Sequence, residues 1–313
     1  MTFEEFLDEW NNGKDFIVAH TSGSTGSPKE ILLSKDFVAQ SAQRTNDFFR
    51  LTENSHLHSC VSPDFIGGKM MGVRALISGA SLTWETPSNQ PLAKLDPKYK
   101  IDLLAVVPSQ MLYILDNRNS LPEIKNVIIG GSSIHPELRK KIAESGINAY
   151  ETYGMTETAS HIALRKVTRE EPHFDLLPGI KISTDDEGCL IIGFENGYSV
   201  KTNDIAVLVS ETQFHIRGRK DLIIISGGRK INPIEVERKI SKLISVPYLI
   251  TSVPDPKWGE KVILLIETAQ DSPSLMDEIK KILQPWEIPK EIRLVTRLPR
   301  TPNGKLQRKL LTL

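Results

Sequence analysis

The stretch 126–146, NVIIGGSSIHPELRKKIAESG, most constrains what this chain can fold into. It begins with a short apolar run, continues through a glycine–serine turn, and ends in a helical pattern. Pro136 suits the first turn of that helix, and Gly146 can end it. Leu138 and Ile142 lie on one face of the helix. Strand–loop–helix units of this kind predict an α/β architecture with parallel strands.

The pattern of elements changes near residue 180. Upstream of it, buried strands such as the one in DLLAVVPSQ end in turn residues. Downstream, the strands GCLIIGF, DIAVLVS and DLIIISGG are separated by short polar turns, and NPIEVERKISKLI predicts a helix. The charged break RGRKDL marks a boundary. We therefore predict a large α/β domain with a parallel-rich sheet at residues 1–218 and a small α+β domain at residues 219–313.

Composition excludes several classes of protein. Of the 313 residues, 39% are apolar and 25% are charged, as in globular proteins. Basic and acidic residues both number 39, so the net charge gives no indication of nucleic-acid or membrane-surface binding. No apolar run is long enough to span a membrane, and the acidic start does not resemble a secretory signal. Cys60 and Cys189 lack a metal-type spacing, which predicts two ordinary buried thiols in a reducing cytoplasm.

The stretch TSGSTGSPKE combines hydroxyls, glycines and one lysine. Glycine lets backbone N–H groups approach a ligand, and successive N–H groups with hydroxyl donors form a concave anion site. A polyphosphate would suit such a site, although the spacing is not that of a Walker loop. The alternative is a solvated turn between the strand FIVAH and a helix that begins near Ser34. The residues expected to bind phosphate are Thr21, Ser22, Gly23, Ser24, Thr25, Gly26 and Lys29.

Four further motifs follow in a fixed order: YETYGMTETA, VKTNDIAVL, IRGRKDLIIISGGRKINPIEVE and LPRTPNGKLQRK. Together with TSGSTGSPKE they resemble the motifs of the adenylate-forming acyl-CoA synthetases, and the resemblance covers residues 16–310. It implies a reaction in two steps. A carboxylate attacks the α-phosphate of ATP, giving acyl-adenylate and pyrophosphate, and a thiol, usually that of coenzyme A, then displaces AMP. ATP, Mg²⁺ and coenzyme A are the ligands that the resemblance implies.

The resemblance assigns roles in the large domain. The loop that begins at Thr21 would bind the β- and γ-phosphates. Tyr153 would stack on adenine, Thr156 would hydrogen-bond the α-phosphate, and Glu157 would hold Mg²⁺, a hard cation that prefers oxygen ligands. Three glycines would line the nucleotide with backbone: Gly130, Gly131 and Gly154.

It also assigns roles in the region of the boundary and beyond it. Asp204 would bind both ribose hydroxyls, and Arg219 would add a second contact. Asp221 falls at the hinge about which the small domain of these enzymes moves between the two steps. Lys305 matches the catalytic lysine, a cation that can reach the α-phosphate as charge develops. Gly227 and Gly228 would flank the channel for pantetheine.

The acyl pocket is expected in SPDFIGGKMMGVRALISG, where Phe65 keeps the aromatic residue of the family and Ile66 replaces its histidine. Lys69 and Arg74 do not suit a fatty acyl tail, because unpaired buried cations are costly. They suit an acid with a second carboxylate. A helix whose cations reach solvent is the alternative. The segment resembles that of the o-succinylbenzoate–CoA ligases of menaquinone biosynthesis.

The first motif lies much nearer the start of the chain than in most of these enzymes. The sequence thus leads us to expect that an N-terminal subdomain is missing, and a homodimer could cover the surface left open. Three alternatives stay open: another aryl- or short-acyl-CoA ligase, a carrier-protein pantetheine as the acceptor, and a non-catalytic nucleotide-binding remnant. The intact set of catalytic residues argues against the remnant.

Overall fold

The computed structural model of the protein describes residues 1–20, 29–270, 274–300, 306 and 308. The predicted phosphate-loop residues 21–26 and the predicted catalytic Lys305 lie outside this description. The chain forms two compact units. Unit 1 comprises Met1–Lys181, Gly193–Val200 and Ser210–Gln213, and unit 2 comprises Ile182–Ile192, Lys201–Val209 and Phe214–Leu313.

The described residues form both α-helices and β-strands. The helices are α1 (Phe3–Asn11), α2 (Lys35–Phe49), α3 (Ile66–Ser78), α4 (Pro108–Asn117), α5 (Pro136–Ser145), α6 (Pro233–Ile240) and α7 (Leu275–Ile282). The first eleven strands are β1 (Phe16–His20), β2 (Glu30–Ser34), β3 (His56–Ser59), β4 (Ser81–Trp84), β5 (Lys100–Ile101), β6 (Leu103–Val106), β7 (Glu123–Ile124), β8 (Val127–Ile129), β9 (Ala149–Met155), β10 (Ser160–Lys166) and β11 (Phe174–Leu176). The other strands are β12 (Ile180–Thr184), β13 (Cys189–Phe194), β14 (Ser199–Ser210), β15 (Gln213–Arg219), β16 (Ile224–Ser226), β17 (Arg229–Ile231), β18 (Tyr248–Asp255), β19 (Gly259–Glu267) and β20 (Glu291–Val295).

The main sheet of unit 1 is rich in parallel strands, as the sequence predicts. Its order within this unit is β4-β3-β6-β8-β9-β10-β11. In this order, neighbouring strands pair in parallel as far as β9. Strand β10 is antiparallel to both β9 and β11. A separate antiparallel hairpin joins β1 and β2.

Strand β6 shows why the central strands are continuous apolar runs. Leu103 and Ala105 belong to a core cluster that includes Met71 of α3. Leu104 and Val106, which point to the opposite face, belong to a second cluster with residues of α4 and α5. Because both faces of the strand are covered, every residue along it is buried.

Local signals place several helix ends where the sequence predicts them. The Ser34 hydroxyl caps α2 by accepting a hydrogen bond from the Phe37 N–H at 3.3 Å. Helix α5 begins at Pro136 and ends at Ser145, and Gly146 follows with a φ of 74°, in the left-handed region that suits glycine. These predictions are confirmed.

Unit 2 contains a sheet of order β17-β16-β19-β18, with β20 pairing in parallel to β19. Val236 and Ile240 of α6 and Ile279 of α7 pack in one core cluster with residues of this sheet. The helix predicted over residues 232–244 ends earlier, at Ile240. There the Ser241 hydroxyl donates to the Arg238 carbonyl at 2.8 Å, and such a local bond competes with further helix.

The division into units cuts through β12, β13, β14 and β15. The domain boundary predicted between residues 218 and 219 stays a prediction. Within the described part of the chain, no helix is both long and apolar enough to cross a bilayer. Cys60 and Cys189 are free and buried, as the sequence predicts.

Candidate active site

The predicted nucleotide motif at residues 153–157 lies at the turn between β9 and β10. Strand β9 ends at Met155 and β10 begins at Ser160, and Gly154 is paired with His161 across the hairpin. A Cβ atom on Gly154 would lie 2.1 Å from the carbonyl oxygen of Ser160. The backbones approach so closely that only glycine fits at this position.

Thr158 fixes the conformation of this turn. Its hydroxyl oxygen accepts from the Met155 N–H at 2.9 Å and lies 2.7 Å from the carbonyl oxygen of Ser160. Ala159 and Ser160 both adopt left-handed φ angles, of 49° and 80°. For residues other than glycine such conformations cost on the order of 1 kcal/mol or more each, and they cluster at functional sites.

Thr156 connects this turn to the start of the predicted phosphate loop. Its hydroxyl donates to the carbonyl oxygen of His20 at 3.4 Å, and its side chain is buried. His20 is the last residue of β1 and pairs with Glu30 of β2. Residues 21–29 therefore connect the two strands of a hairpin, and this connection starts beside the residue predicted to bind the α-phosphate. Lys29 itself is exposed.

A hydrogen bond to its carbonyl oxygen places the backbone of Glu157. The Tyr198 hydroxyl donates to the Glu157 carbonyl oxygen at 3.4 Å. Burial, and to a smaller extent the charge of Glu157, raises the pKa of Tyr198. Among the described residues, no cation forms an ion pair with the Glu157 carboxylate. Carboxylate oxygens are ligands that a hard divalent cation prefers, and the Mg²⁺ role of Glu157 stays a prediction.

The predicted adenine-binding residues also lie along β9 and the end of β8. The Tyr153 ring lies 5.6 Å from that of Phe174, centroid to centroid. A Cβ atom on Gly130 would lie 2.9 Å from the Thr152 hydroxyl oxygen, and Gly131 has a left-handed φ of 89°. The structure thus brings Gly130 next to β9, one residue from Tyr153.

A buried ion cluster, which the sequence did not predict, holds β9 in place. Glu151 is 3% exposed, and one of its carboxylate oxygens accepts from both Arg139 and Arg165. Its other oxygen accepts from the Ile134 N–H at 3.3 Å. Arg165 also pairs with Glu171 at 2.7 Å. The available signal was a pair of opposite charges, Glu151 and Arg165, within two neighbouring strand patterns.

In unit 2, the predicted ribose and hinge residues form one ion-pair network. Arg219 donates to Asp204 at 2.9 Å and makes two bonds to Asp221, at 2.9 and 3.0 Å. Asp204 is buried, and its N–H donates to the Thr202 hydroxyl. The planar guanidinium suits this double contact with a carboxylate. The structure therefore brings together three residues that the sequence assigned separately.

Helix α3 carries the predicted acyl-pocket cations, and neither reaches solvent. Lys69 is 2% exposed and Arg74 is 1% exposed, so the alternative of two solvated cations is wrong. The Lys69 ammonium donates to Glu9 at 2.6 Å and to the Val18 carbonyl at 2.8 Å. Its charge is therefore matched by a carboxylate of the protein itself. Phe65 precedes the helix and is exposed.

Arg74 has a different environment. It donates to Met71 Sδ at 3.5 Å and to His161 Nδ1 at 3.4 Å, and its Nε is buried without a hydrogen-bond partner. Within residues 1–20, 29–270, 274–300, 306 and 308, no carboxylate pairs with it. Burial lowers the pKa of Arg74 to about 9. A buried cation of this kind suits an anionic ligand.

Two family models match the chain. The model described as AMP-binding enzyme matches residues 7–193, which is more than half of the sequence. The chain belongs to the AMP-binding enzyme family. The model described as AMP-binding enzyme C-terminal domain matches residues 249–305.

Members of the AMP-binding family resemble the chain over nearly its whole length. A 2-succinylbenzoate–CoA ligase from Listeria monocytogenes is 28% identical over 335 residues, covering 97% of this chain and 71% of that protein. A solved acyl-CoA synthetase (AMP-forming)/AMP-acid ligase II-like protein from Dyadobacter fermentans is 32% identical, with a TM-score of 0.64, covering 96% and 90% of the two chains. The o-succinylbenzoate coenzyme A synthetase of Bacillus subtilis, solved with ATP and magnesium, is 22% identical with a TM-score of 0.80, covering 93% and 68%. That last likeness shows the fold alone.

In this family member, the chain on both sides of Lys305 is anchored. Arg300 and Leu306 form an isolated antiparallel bridge. Arg308 makes two bonds to Glu237, at 2.6 and 2.9 Å. The Thr251 hydroxyl donates to the Arg308 carbonyl at 2.6 Å. These contacts hold Arg300, Leu306 and Arg308, which are described residues near Lys305 in the sequence.

Gly227 and Gly228, assigned to the pantetheine channel, form the two-residue turn between β16 and β17. Ser226 pairs with Arg229, and both glycines have left-handed φ angles, of 55° and 76°. The type I′ turn, which is common in hairpins of this length, needs positive φ at both central residues, and the Gly-Gly pair adopts it without strain. A Cβ atom on Gly227 would lie 2.8 Å from the ring of Trp258. The predicted channel role stays a prediction.

Proposed function

We propose that this AMP-binding enzyme is an AMP-forming acid–thiol ligase. It activates a carboxylic acid as an acyl-adenylate, releases pyrophosphate, and transfers the acyl group to coenzyme A. The observation that carries the proposal is the hydrogen bond of Thr156 to His20. That contact brings the YGMTE turn to the start of the hydroxyl-rich loop, and these two motifs bind the α-phosphate and the pyrophosphate in this family.

The residues of unit 1 bind and orient ATP in this proposal. Tyr153 stacks on the adenine, and Thr156 contacts the α-phosphate. Glu157 holds Mg²⁺, which neutralises phosphate charge when bound. A negative carboxylate must approach a negative phosphate in the first step, so positioning and charge neutralisation supply most of the rate enhancement.

The residues of unit 2 bind the ribose and control the change between the two steps. Asp204 accepts from the ribose hydroxyls, and Arg219 holds its carboxylate at 2.9 Å. Arg219 also holds Asp221, the predicted hinge residue, so the ribose and hinge residues share one guanidinium. Lys305 stabilises the charge that develops during adenylation.

For the acid we propose o-succinylbenzoate, which carries a second carboxylate. Of the two buried cations of α3, Arg74 has no carboxylate partner among the described residues. We therefore assign it to the second carboxylate of the acid. Lys69, in contrast, is already paired with Glu9. The named ligases of Listeria monocytogenes support this choice of acid. Another aryl- or short-acyl acid is the alternative. We also propose a cytoplasmic location, since both thiols are free.

The first test measures pyrophosphate release with ATP, Mg²⁺ and a panel of carboxylic acids. The panel contains o-succinylbenzoate, the same molecule without its aromatic carboxylate, benzoate, and short fatty acids. We expect release with o-succinylbenzoate and a large loss when the aromatic carboxylate is absent. Equal rates with both would contradict the assigned acid, and no release with any acid would contradict ligase activity.

A second test separates the two half-reactions. Lys305→Ala should slow adenylation by about 10²-fold or more, because it removes an electrostatic stabiliser of the transition state. The same variant should still form thioester from supplied acyl-adenylate and coenzyme A. Asp221→Pro should do the reverse, since proline resists backbone rotation at a hinge. Lys309→Ala is the matched control, and equal loss of both steps in Lys305→Ala would exclude the proposed role of that lysine.

A further inference from the structure

Three side chains with metal-binding atoms meet at the carboxyl ends of two neighbouring parallel strands, β3 and β4. His58 is the third residue of β3, Cys60 follows that strand, and Glu85 follows β4. His58 is 2% exposed and Cys60 is 1% exposed. One potential ligand atom from each of the three lies within 4.8 Å of the other two, and His58 Nε2 is 3.9 Å from a Glu85 oxygen. These residues have no part in the proposed ligase mechanism.

The imidazole of His58 has one nitrogen in use and one without a partner. Its Nδ1 lies 2.7 Å from the Thr83 hydroxyl oxygen. Its Nε2, which faces Glu85, is buried and has no hydrogen-bond partner among the described residues. Leaving a buried polar atom unpaired costs about 1–3 kcal/mol, so the fold gains nothing from this arrangement by itself.

A chain of hydrogen bonds fixes which nitrogen of His58 carries the proton. It starts at the Ser55 carbonyl, to which the Ser81 hydroxyl donates at 3.3 Å. Ser81 must then accept from His56 Nδ1 at 2.8 Å, so that His56 Nε2 accepts from Thr83 at 2.9 Å. Thr83 in turn accepts from His58 Nδ1–H, which leaves a lone pair on His58 Nε2. A lone pair that faces a carboxylate is suited to a cation between them.

Hydrogen bonds hold the other two residues, Cys60 through its backbone and Glu85 through its carboxylate. The Cys60 N–H donates to Ala105 at 3.1 Å, and Gln110 donates to the Cys60 carbonyl at 3.0 Å. Both oxygens of Glu85 lie 3.1 Å from the Leu92 N–H. The thiol and the carboxylate are therefore brought beside His58 by the rigid ends of the sheet and not by a loose loop.

We propose that His58, Cys60 and Glu85 bind one divalent cation of the zinc type through Nε2, Sγ and a carboxylate oxygen. Imidazole, thiolate and carboxylate are the ligands that zinc uses, and three protein ligands leave a fourth position for water or another ligand. When the ion binds, the Cys60 thiol releases its proton to solvent. Thiolate and carboxylate then balance the two charges of the ion.

The distances require only small adjustments. Zinc–ligand bonds of about 2.0–2.3 Å place tetrahedral ligand atoms roughly 3.3–3.8 Å apart. Atoms that already lie within 4.8 Å of one another would move together by about 1 Å, which side-chain rotation can supply. Spacing along the sequence does not reveal this site, because Glu85 follows a strand that lies beyond an intervening helix. A thiol and an imidazole also distinguish this site from the oxygen site proposed for Mg²⁺ at Glu157.

Titration of the full chain with Co²⁺, without ATP, tests the proposal. Co²⁺ occupies zinc sites and gives near-ultraviolet thiolate-to-metal absorption and visible bands typical of tetrahedral sites. We expect one equivalent to bind with both signals, and one equivalent of Zn²⁺ to displace it and raise the Tm. Cys60→Ser should abolish the thiolate band, and Glu85→Gln should weaken binding by about 10-fold or more. Cys189→Ser, which alters the other free thiol, should keep wild-type binding.

The wild-type spectrum is decisive even where a variant fails to fold. Absence of the thiolate band in wild type would overturn the proposal. So would loss of the band in Cys189→Ser with its retention in Cys60→Ser. A band of wild-type intensity in folded Glu85→Gln, with unchanged affinity, would remove Glu85 from the ligand set and overturn the three-residue site.

Discussion

Two buried arginine clusters in unit 1 differ in whether the protein supplies a counter-charge. Arg139 and Arg165 share the carboxylate of Glu151, which is itself buried. Arg74 has only neutral partners among the described residues, His161 and the sulfur of Met71. In the first cluster, the protein itself supplies the anion that the arginines need. The second keeps a positive charge for which the described protein offers no anion.

The difference also shows in titration behaviour. Burial alone lowers the pKa of Arg74 to about 9. Burial, and secondarily the charge of Arg74, holds the pKa of His161 well below its usual value. His161 is neutral: its Nδ1 accepts from Arg74, and its Nε2 donates to Thr45 at 2.9 Å. The comparison teaches that burial does not decide the role of a cation; the identity of its counter-ion does.

Removing the counter-charge of the first cluster should have the largest effect. Glu151→Gln leaves two buried guanidinium groups without an anion between them, so we expect a loss of about 3–5 kcal/mol in the free energy of unfolding. Urea unfolding followed by circular dichroism measures it. Glu171→Gln, which alters the more exposed partner of Arg165, is the control and should cost less than about 1 kcal/mol. A similar small loss in both variants would contradict the role of Glu151.

The Lys69–Glu9 pair should respond in the same direction but less strongly. Glu9→Gln keeps an oxygen that can accept from the ammonium, and it removes only the charge. We expect a loss of about 2 kcal/mol in unfolding free energy, because a buried ammonium then lacks its anion. Glu4→Gln, on the exposed side of α1, is the matched control. If the two variants are equally stable, the pair has no structural importance.

Arg74 should behave oppositely to these carboxylates. Arg74→Met removes a buried charge that has no described carboxylate, so the free energy of unfolding should stay the same or rise. The KM for o-succinylbenzoate should rise by about 10-fold or more, since a desolvated charge pair with the substrate is lost. The KM for ATP should not change. A stability loss comparable to that of Glu151→Gln, with unchanged KM values, would give Arg74 a purely structural role.

The smallest expected effect concerns pH. Because the pKa of His161 is depressed in the folded state, the unfolded chain binds the extra proton, and stability falls as pH drops below about 6.5. Between pH 7 and pH 5.5 this residue alone should cost about 1 kcal/mol. His161→Gln should lose that much less stability than wild type over this interval in urea unfolding. Equal losses in both proteins would contradict a depressed pKa.

The sequence by itself determined the local architecture and the family. The strand–turn–helix unit around Gly146, the cap at Ser34 and the order of the five motifs all depend on neighbouring residues, so they can be predicted from spacing. The position of Gly154 can also be predicted from the sequence, because it belongs to the motif YETYGMTETA. That motif forms the tight hairpin between β9 and β10. The positions of Thr156, Glu157 and Asp204 were available from the same motifs.

Only the tertiary structure decided which side chain each buried charged residue contacts. Lys69 and Arg74 look alike in the sequence, yet one meets Glu9, 60 residues away, and the other meets His161, 87 residues away. The residues His58, Cys60 and Glu85 come together only because β3 and β4 are neighbours in the sheet. Spacing along a chain predicts which side chains are buried. Their partners depend on distant elements that pack against them, and the partner determines the electrostatic role.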